Sequence, residues 1–145
     1  KHEYYRGEIF AMGGASIPHN IISSNCIMDI GNKLKGKKCR PFGSDLRIHI
    51  PKNSLYTYPD ISIICGEIQT TDDKFDTATN PSVIIELLSK STRNYDKGEK
   101  FTLYRDITGT GSSYVAEGTP ATDATYTTSA FFGFFIKIIV KTNIK

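Results

Sequence analysis

Two short apolar segments of this chain each carry a single carboxylate. Residues 58–65 include Asp60, and residues 83–88 include Glu86. A carboxylate in a segment that otherwise resembles buried sheet must be paired, protonated or bound to a metal, because an isolated buried charge costs several kcal/mol. Two such carboxylates in one small chain predict a shared site.

The elements around these carboxylates are predicted from local patterns. Pro59 suits the first position of a strand, where its missing N–H is harmless, so Asp60 is expected at a strand end. Residues 83–88 have the continuous apolar character of a strand buried on both faces, interrupted by Glu86. Residues 66–81 are predicted to form a polar loop. A cation site on its acids is the alternative, but they lack the regular spacing of a calcium-binding loop, which favours a solvated loop.

An amphipathic helix is predicted after Ser16, a favourable N-cap followed by Pro18 in the first turn. Its apolar stripe recurs at spacings of three and four: Ile22, Cys26, Ile27, Ile30 and Leu34. Two interpretations of His19, at the head of this stripe, stay open. It is either a capping or half-exposed histidine, or a residue near the site or a phosphate.

Two further segments have clear patterns. The cationic residues 33–38 complement the dipole at the helix C-terminus, with a phosphate contact as the alternative. Residues 45–50 alternate as in a strand, with Leu46, Ile48 and Ile50 on one face. On the other face, Asp45 and Arg47 are predicted to form a surface ion pair.

Helical periodicity returns over residues 96–105. Asp96, Lys100 and Tyr104 are spaced at i, i+4 and i+8, which places them on one helix face. Taken alone, this pattern fits an exposed ion-pair ladder equally well.

Composition sets the outer bounds. A chain of 145 residues is expected to form one domain, and its net charge of +3 permits a nucleic-acid partner without requiring one. The three cysteines form no Cys-x-x-Cys pair, which argues against a disulfide framework and favours a reducing cytoplasm. The first residues lack the apolar core of a signal peptide, and the absence of an initial methionine predicts a missing upstream segment.

Several motifs in order resemble one known family. They are residues 4–9 (YYRGEI), 11–16 (AMGGAS), His19, 58–60 (YPD), 85–89 (IELLS), 95–101 (YDKGEKF) and Tyr104. This set is similar to the Uma-two family of bacterial restriction endonucleases, within the PD-(D/E)XK nuclease superfamily. The resemblance covers residues 1 to about 107.

The resemblance implies an α/β domain with a restriction-endonuclease-like mixed central β-sheet flanked by α-helices. It implies that Asp60 and Glu86 bind a divalent cation, Mg²⁺ with Mn²⁺ as the alternative, with the carbonyl of Leu87 as a further ligand. DNA is the implied partner, and a homodimer is the implied assembly.

The resemblance also nominates supporting residues. The superfamily's lysine usually follows the glutamate by two positions, where this chain has Leu88, so Lys100 from the next helix is nominated instead. Tyr104 lies one turn beyond it, Lys97 is the fallback, and Glu8 is expected to complete the site through a water.

The end of the chain departs from the family. Lys90 replaces the family's proline, and after Ile107 the family's further strands are not recognisable. We therefore expect a nuclease-like core at 1–107 and an atypical segment at 108–145, rich in Thr, Ser and Gly and then apolar. Residues 131–140 are far shorter than the ~20 apolar residues of a membrane span and are predicted to form a strand or an aggregation-prone edge.

The sequence thus predicts a cytoplasmic, metal-dependent endonuclease acting on DNA, with no membrane partner. One alternative is a catalytically silent nuclease-like domain for binding or assembly, such as a degenerate mobile-element remnant. Another is phosphoester hydrolysis on a nucleotide or other small substrate.

Overall fold

The fold is given by a computed structural model that describes residues 1–71, 76–87, 96–107, 115–120 and 134–139. For residues 96–97, 115–120 and 134–139 it describes the backbone only. The first strands and helix are β1 (His2–Tyr5), β2 (Glu8–Ala11), α1 (Ile17–Lys33), β3 (Cys39–Gly43), β4 (Arg47–Ile50), β5 (Leu55–Thr57) and β6 (Ile61–Cys65). They are followed by β7 (Thr77–Ala78), β8 (Val83–Ile85), a π-helical segment (Asp96–Lys100), α2 (Phe101–Tyr104), β9 (Val115–Pro120) and β10 (Phe134–Ile139).

A five-stranded sheet has the order β2-β1-β5-β4-β7. Its pairs are antiparallel except for β4 and β7, which are parallel, so the sheet is mixed as predicted. Arg6 and Gly7 form the turn between β1 and β2 with φ values of 49° and 94°. Two consecutive positive φ values give a two-residue turn that matches the right-handed twist of the hairpin strands. The second residue, Gly7, adopts its φ value without steric cost.

A second, three-stranded sheet has the order β3-β6-β8 and is antiparallel. Helix α1 covers one face of it. Ser16 is the N-cap, its side chain accepting from the His19 N–H, as the sequence predicted. The buried residues of α1 are Ile22, Cys26 and Ile30, all from the predicted stripe.

The core has two layers, one on each face of the three-stranded sheet. In the first layer, Ile48 and Ile50 of the five-stranded sheet pack with Ile64 and Ile84, and α2 adds Leu103 and Tyr104. In the second layer, α1 packs on Ile61, Ile85 and Leu87. Because side chains alternate along a strand, β8 directs Ile85 toward α1 and its neighbour Ile84 toward the five-stranded sheet.

Some sequence predictions are wrong in detail. The segment predicted as a loop at 66–81 contains β7, and Thr70 bridges Ala78. Asp45 and Arg47 do not pair with each other: Asp45 contacts Lys1 at 2.7 Å, and Arg47 contacts Asp76 at 3.1 Å. These partners lie far away in the sequence, so only the tertiary arrangement selects them.

A disulfide joins Cys39 and Cys65, contrary to the expectation of no disulfide framework. The two residues stand opposite each other in the β3–β6 register, whereas Cys26 is a free cysteine on the buried face of α1. Spacing along the chain gave no sign of this pair because antiparallel register, not sequence distance, brings the sulfur atoms together. The cytoplasmic localisation stays a prediction.

In the later segments, the structure agrees better with the sequence predictions. The predicted helix at 96–105 is present as the π-helical segment and α2, and the predicted strand within 131–140 is present as β10, paired antiparallel with β9. Lys90 and most of the Thr- and Ser-rich stretch lie outside the described residues, so the division at residue 107 stays a prediction. Among the helices of the described ranges, none has both the length and the apolar character needed to cross a membrane.

Candidate active site

Asp60 and Glu86 lie at the same edge of the three-stranded sheet. Asp60 immediately precedes β6 and Glu86 immediately follows β8, and the antiparallel register pairs Ile61 with Ile85. The start of one strand therefore lies beside the end of the other. The backbone N–H of Asp60 donates to Glu86 Oε2 at 3.2 Å, so the two acidic residues are in direct contact.

Two groups contact the Asp60 carboxylate, one from the residue after Glu86 and one from α1. Its Oδ2 accepts from the Leu87 N–H at 2.7 Å, and His19 Nε2 lies 3.2 Å from the same oxygen. Burial and the neighbouring Glu86 raise the pKa of Asp60 to about 6, against the opposing effects of the Leu87 N–H, His19 and Lys100. Of the two interpretations of His19, the structure supports the one that places it at the site.

Glu86 is buried and contacts two residues of the helical segment. Lys100 Nζ lies 3.0 Å from Glu86 Oε1, and the Tyr104 hydroxyl donates to the same oxygen. Burial and Glu86 raise the pKa of Tyr104 well above its usual value, so the phenol stays protonated and donates. Lys100 and Tyr104 thus share one helix face as predicted, but this face is buried and is not an exposed ion-pair ladder.

Glu3, on β1, is a member of this cluster that the sequence analysis missed. Its Oε1 lies 3.0 Å from Lys100 Nζ and accepts a hydrogen bond from the Thr57 hydroxyl. Burial alone would lower the pKa of Lys100, but the carboxylates of Glu86 and Glu3 outweigh that effect and raise it. Lys100 is therefore a buried ammonium between two carboxylates.

The structure does not bring Glu8 to this cluster. Glu8 begins β2, stands opposite Tyr5 in the hairpin and is exposed. The inward-facing acid of this hairpin is Glu3 instead. The sequence offered one signal for Glu3, namely that Glu3 and Tyr4 must point to opposite faces of a short strand. The pairing of β1 with β5 decides which of these two faces lies against the core. The side chain of Lys97, the fallback lysine, lies outside the described residues.

The raised pKa of Asp60 predicts a pH-dependent stability. Because the folded-state pKa of about 6 exceeds the ordinary 3.8, the folded protein binds the proton more tightly than the unfolded chain does, and stability falls as pH rises from 3.8 through 6. In chelator, Asp60→Asn should raise the free energy of unfolding near neutral pH by up to about 3 kcal/mol, and the gain should vanish below about pH 4. Urea denaturation across this pH range measures it.

Asp45→Asn is the matched control for this effect. Its ion pair with Lys1 lowers the pKa of Asp45, so the same chemical change should not stabilise the protein near neutral pH. If Asp60→Asn raises the free energy of unfolding equally at all pH values, the gain does not come from the raised pKa of Asp60 and reflects better packing instead.

Comparisons with known proteins add the family. A model of the Uma2 family, described as a putative restriction endonuclease, matches residues 1–115. This chain belongs to the Uma2 family. The match covers every residue of the cluster and extends past the predicted boundary at residue 107.

Two relatives of this Uma2 chain come from Synechocystis sp. The uncharacterized protein slr1290 is 42% identical over 104 residues, covering 72% of this chain and 54% of the relative. The uncharacterized protein sll1609 is 37% identical over 107 residues, covering 74% of this chain and 60% of the relative. The chain therefore spans little more than half the length of these relatives.

A solved structure shares the fold. It is a crystal structure of a putative nuclease belonging to DUF820 from Anabaena variabilis, with a TM-score of 0.62 and 22% identity. The match covers 80% of this chain and 65% of that chain. This likeness supports the α/β, restriction-endonuclease-like fold.

The oxygen ligands at the sheet edge fit the divalent cation that the Uma2 resemblance implies. Asp60 Oδ2 is engaged by Leu87 and His19, whereas no hydrogen bond to Asp60 Oδ1 is present within the described residues. Across the same ranges, no group of three or more His, Cys, Asp and Glu side chains is arranged to hold a metal. Two carboxylates suit Mg²⁺, which usually takes one or two from the protein and completes its shell with water and phosphate.

Proposed function

We propose that this domain hydrolyses phosphodiester bonds of DNA as a Mg²⁺-dependent endonuclease, with Mn²⁺ as a substitute. The observation that carries the proposal is the meeting of Asp60 and Glu86 at one sheet edge, with Lys100 and Tyr104 on Glu86. Family membership supports the nuclease class. DNA as the substrate and the metal requirement are our inferences.

Asp60, Glu86 and the carbonyl of Leu87 are the proposed ligands. When bound there, Mg²⁺ would polarise the scissile phosphate and lower the pKa of a water that attacks it. The Asp60 side chain is 21% exposed, so it is accessible to a cation and a phosphate from solvent. Since its pKa is about 6, Asp60 is mostly ionised near neutral pH and ready to accept a cation.

Lys100 and Tyr104 are proposed as positioning residues for Glu86. The ammonium and the phenol fix Glu86 Oε1, while the Asp60 N–H contacts Oε2. A carboxylate whose two oxygens are held by fixed donors loses little conformational freedom when it takes up a ligand. Glu3 in turn holds Lys100 and, with Thr57, anchors the cluster to the five-stranded sheet.

The test is cleavage of supercoiled plasmid DNA by the purified chain. We expect nicked and linear products with Mg²⁺ or Mn²⁺ and none with chelator. Absence of cleavage with both ions would overturn the proposal for this chain. Cleavage of a model phosphodiester without cleavage of DNA would favour the small-substrate alternative.

A catalytically silent domain is the second candidate. The observation in its favour is that Glu86 is only 4% exposed and both its oxygens already have partners. This candidate predicts no calorimetric signal on titration with Mg²⁺ near neutral pH. A clear binding heat that disappears in Asp60→Ala would count against it. A homodimer stays a prediction.

A further inference from the structure

A cleft with three cationic side chains lies away from the acidic cluster. Its volume is about 540 Å³. Lys37, Lys38 and Arg40 supply positive charge, and Phe42, Ile64 and Ile68 supply apolar surface. Glu67 is the one acid among its lining residues, so the cleft is strongly positive in a chain whose net charge is only +3.

The three cations of this basic cleft form no ion pair with the part of the chain that the structure describes. Elsewhere, Lys33 pairs with Asp29 and Lys52 with Asp106. Within the ranges that the structure describes, no carboxylate lies within ion-pair distance of Lys37, Lys38 or Arg40. Their charge is available to a ligand.

The dipole of α1 accounts for only part of this charge, since the Lys37 N–H contacts the carbonyl of the C-cap residue Leu34 whereas Arg40 lies on β3. The helix ends at Lys33, and Gly36 then takes a φ of 77°, which turns the chain away from the helix axis. The dipole effect falls off within the last turn, so it includes Lys33 but not Arg40 on β3. A phosphate contact was the alternative for residues 33–38. The structure favours it for the part of this segment that follows the helix.

The backbone that carries these side chains is firmly held. The Gly66 N–H donates to the Lys38 carbonyl at 2.6 Å, and the Cys39–Cys65 disulfide joins the next pair of residues. Arg40 then stands opposite Ile64 in the β3–β6 register. A preorganised wall of this kind reduces the entropic cost of binding an anion.

The basic cleft and Asp60 lie at opposite ends of β6. This strand has five residues, which at about 3.3 Å each span roughly 17 Å. DNA rises about 3.4 Å per base pair, so this distance corresponds to about five base pairs. We propose that the basic cleft binds the DNA phosphate backbone about five base pairs from the phosphate held at Asp60 and Glu86. The proposal rests on the proposed function, because DNA is its substrate.

The chemistry of the cleft fits this ligand. Lysine and arginine side chains bind phosphate oxygens without reading sequence, and such contacts position a duplex on a protein. Beside them, half-buried Phe42 and exposed Ile68 offer an apolar surface for the sugar edges of the same strand, whereas Ile64 lies at the buried floor of the cleft. The cleft thus supplies affinity and register, while the acidic cluster supplies the reaction.

The test compares two triple variants with the same change in net charge. Lys37→Gln/Lys38→Gln/Arg40→Gln removes the cleft charge, and Arg6→Gln/Lys52→Gln/Arg105→Gln removes three cations that do not line the cleft. All six side chains are exposed, so neither variant is expected to disturb the core. Binding of a labelled DNA duplex is followed by fluorescence anisotropy in chelator at several salt concentrations.

The cleft variant should bind DNA about tenfold or more weakly and lose about 2 to 3 units from the slope of log affinity against log salt. The control should change affinity less than about twofold. Equal effects of the two variants, or no effect of the cleft variant, would overturn the proposal. Displacement of the duplex by a millimolar mononucleotide would also overturn the proposal, because it would show that the cleft binds small anions.

Because chelator prevents cleavage, this experiment is independent of the proposed activity. A protein that binds DNA through the cleft but never cleaves it fails the proposed function alone. A protein that cleaves DNA while the cleft variant binds normally fails this inference alone.

Discussion

Asp60→Asn should lower the rate of Mg²⁺-dependent DNA cleavage by about 10³-fold or more, equivalent to at least about 4 kcal/mol of transition-state stabilisation. The amide keeps the shape of the side chain, and its oxygen still accepts from the Leu87 N–H. It loses the negative charge that holds a cation beside Glu86. The effect should therefore appear as a loss of cleavage and of Mg²⁺ affinity in a protein that is folded at least as stably as the parent near neutral pH.

Plasmid cleavage under single-turnover conditions, with Mg²⁺ titration by calorimetry, measures this effect. Asp29→Asn is the matched control, because Asp29 lies on α1 and contacts Lys33 rather than the cluster. It should retain cleavage within about twofold. If Asp60→Asn and the parent cleave DNA at equal rates, Asp60 is not a ligand of a catalytic metal.

Lys100→Met should lower the free energy of unfolding by about 3 to 5 kcal/mol, because it leaves two buried carboxylates without their shared cation. Lys100 Nζ is 3.0 Å from both Glu3 and Glu86, and its side chain is 6% exposed. Methionine fills nearly the same volume, so the loss reports charge rather than a cavity. Urea denaturation near neutral pH measures it.

The double variant Lys100→Met/Glu3→Gln separates charge from packing. Removing one carboxylate together with the ammonium relieves the repulsion between Glu3 and Glu86, so the double variant should be more stable than Lys100→Met alone. Lys52→Met, which breaks an exposed pair with Asp106, should cost less than about 1 kcal/mol. A Lys100→Met loss no greater than that of Lys52→Met would show that the buried pair is not a structural anchor.

These two predictions assign different roles to neighbouring residues. Asp60 retains a solvent-facing edge and a carboxylate oxygen with no described partner, which suits a ligand. Lys100 lies between the carboxylates of Glu3, on β1, and Glu86, just after β8, which suits a residue that positions Glu86. The same ammonium thus offsets part of the negative charge of the cluster and links the two sheets, because Glu3 belongs to one and Glu86 follows a strand of the other.

Local patterns predicted the elements that depend on nearby residues. Ser16, Pro18 and the stripe through Ile22, Cys26 and Ile30 gave α1, because capping and helical periodicity act within a few residues. Alternation gave β4 with Ile48 and Ile50 buried. The short strand β7 escaped notice because two residues are too few to establish a period, and its pairing with β4 is long-range.

Long-range pairs were the main source of error. The Cys39–Cys65 disulfide and the inward position of Glu3 both depend on the register between strands distant in sequence. A shift of one residue would move every side chain of a strand to the opposite face, and nothing within a single strand specifies that choice.

By itself, the sequence determined that Asp60 stands at a strand end and that Glu86 belongs to a second apolar segment, since proline placement and apolar runs act locally. The structure ends β8 at Ile85, so that Glu86 follows the predicted strand rather than interrupting it. The sequence also determined that Lys100 and Tyr104 share a helix face. A shared site for these four residues was predicted from the two carboxylates and the family resemblance. Only the tertiary structure gave their contacts, placed Glu3 with them in place of Glu8, and showed that the cations of residues 37–40 line a cleft. The physical reason is that antiparallel register and the packing of two sheets create these contacts, and both arise between segments remote in the chain.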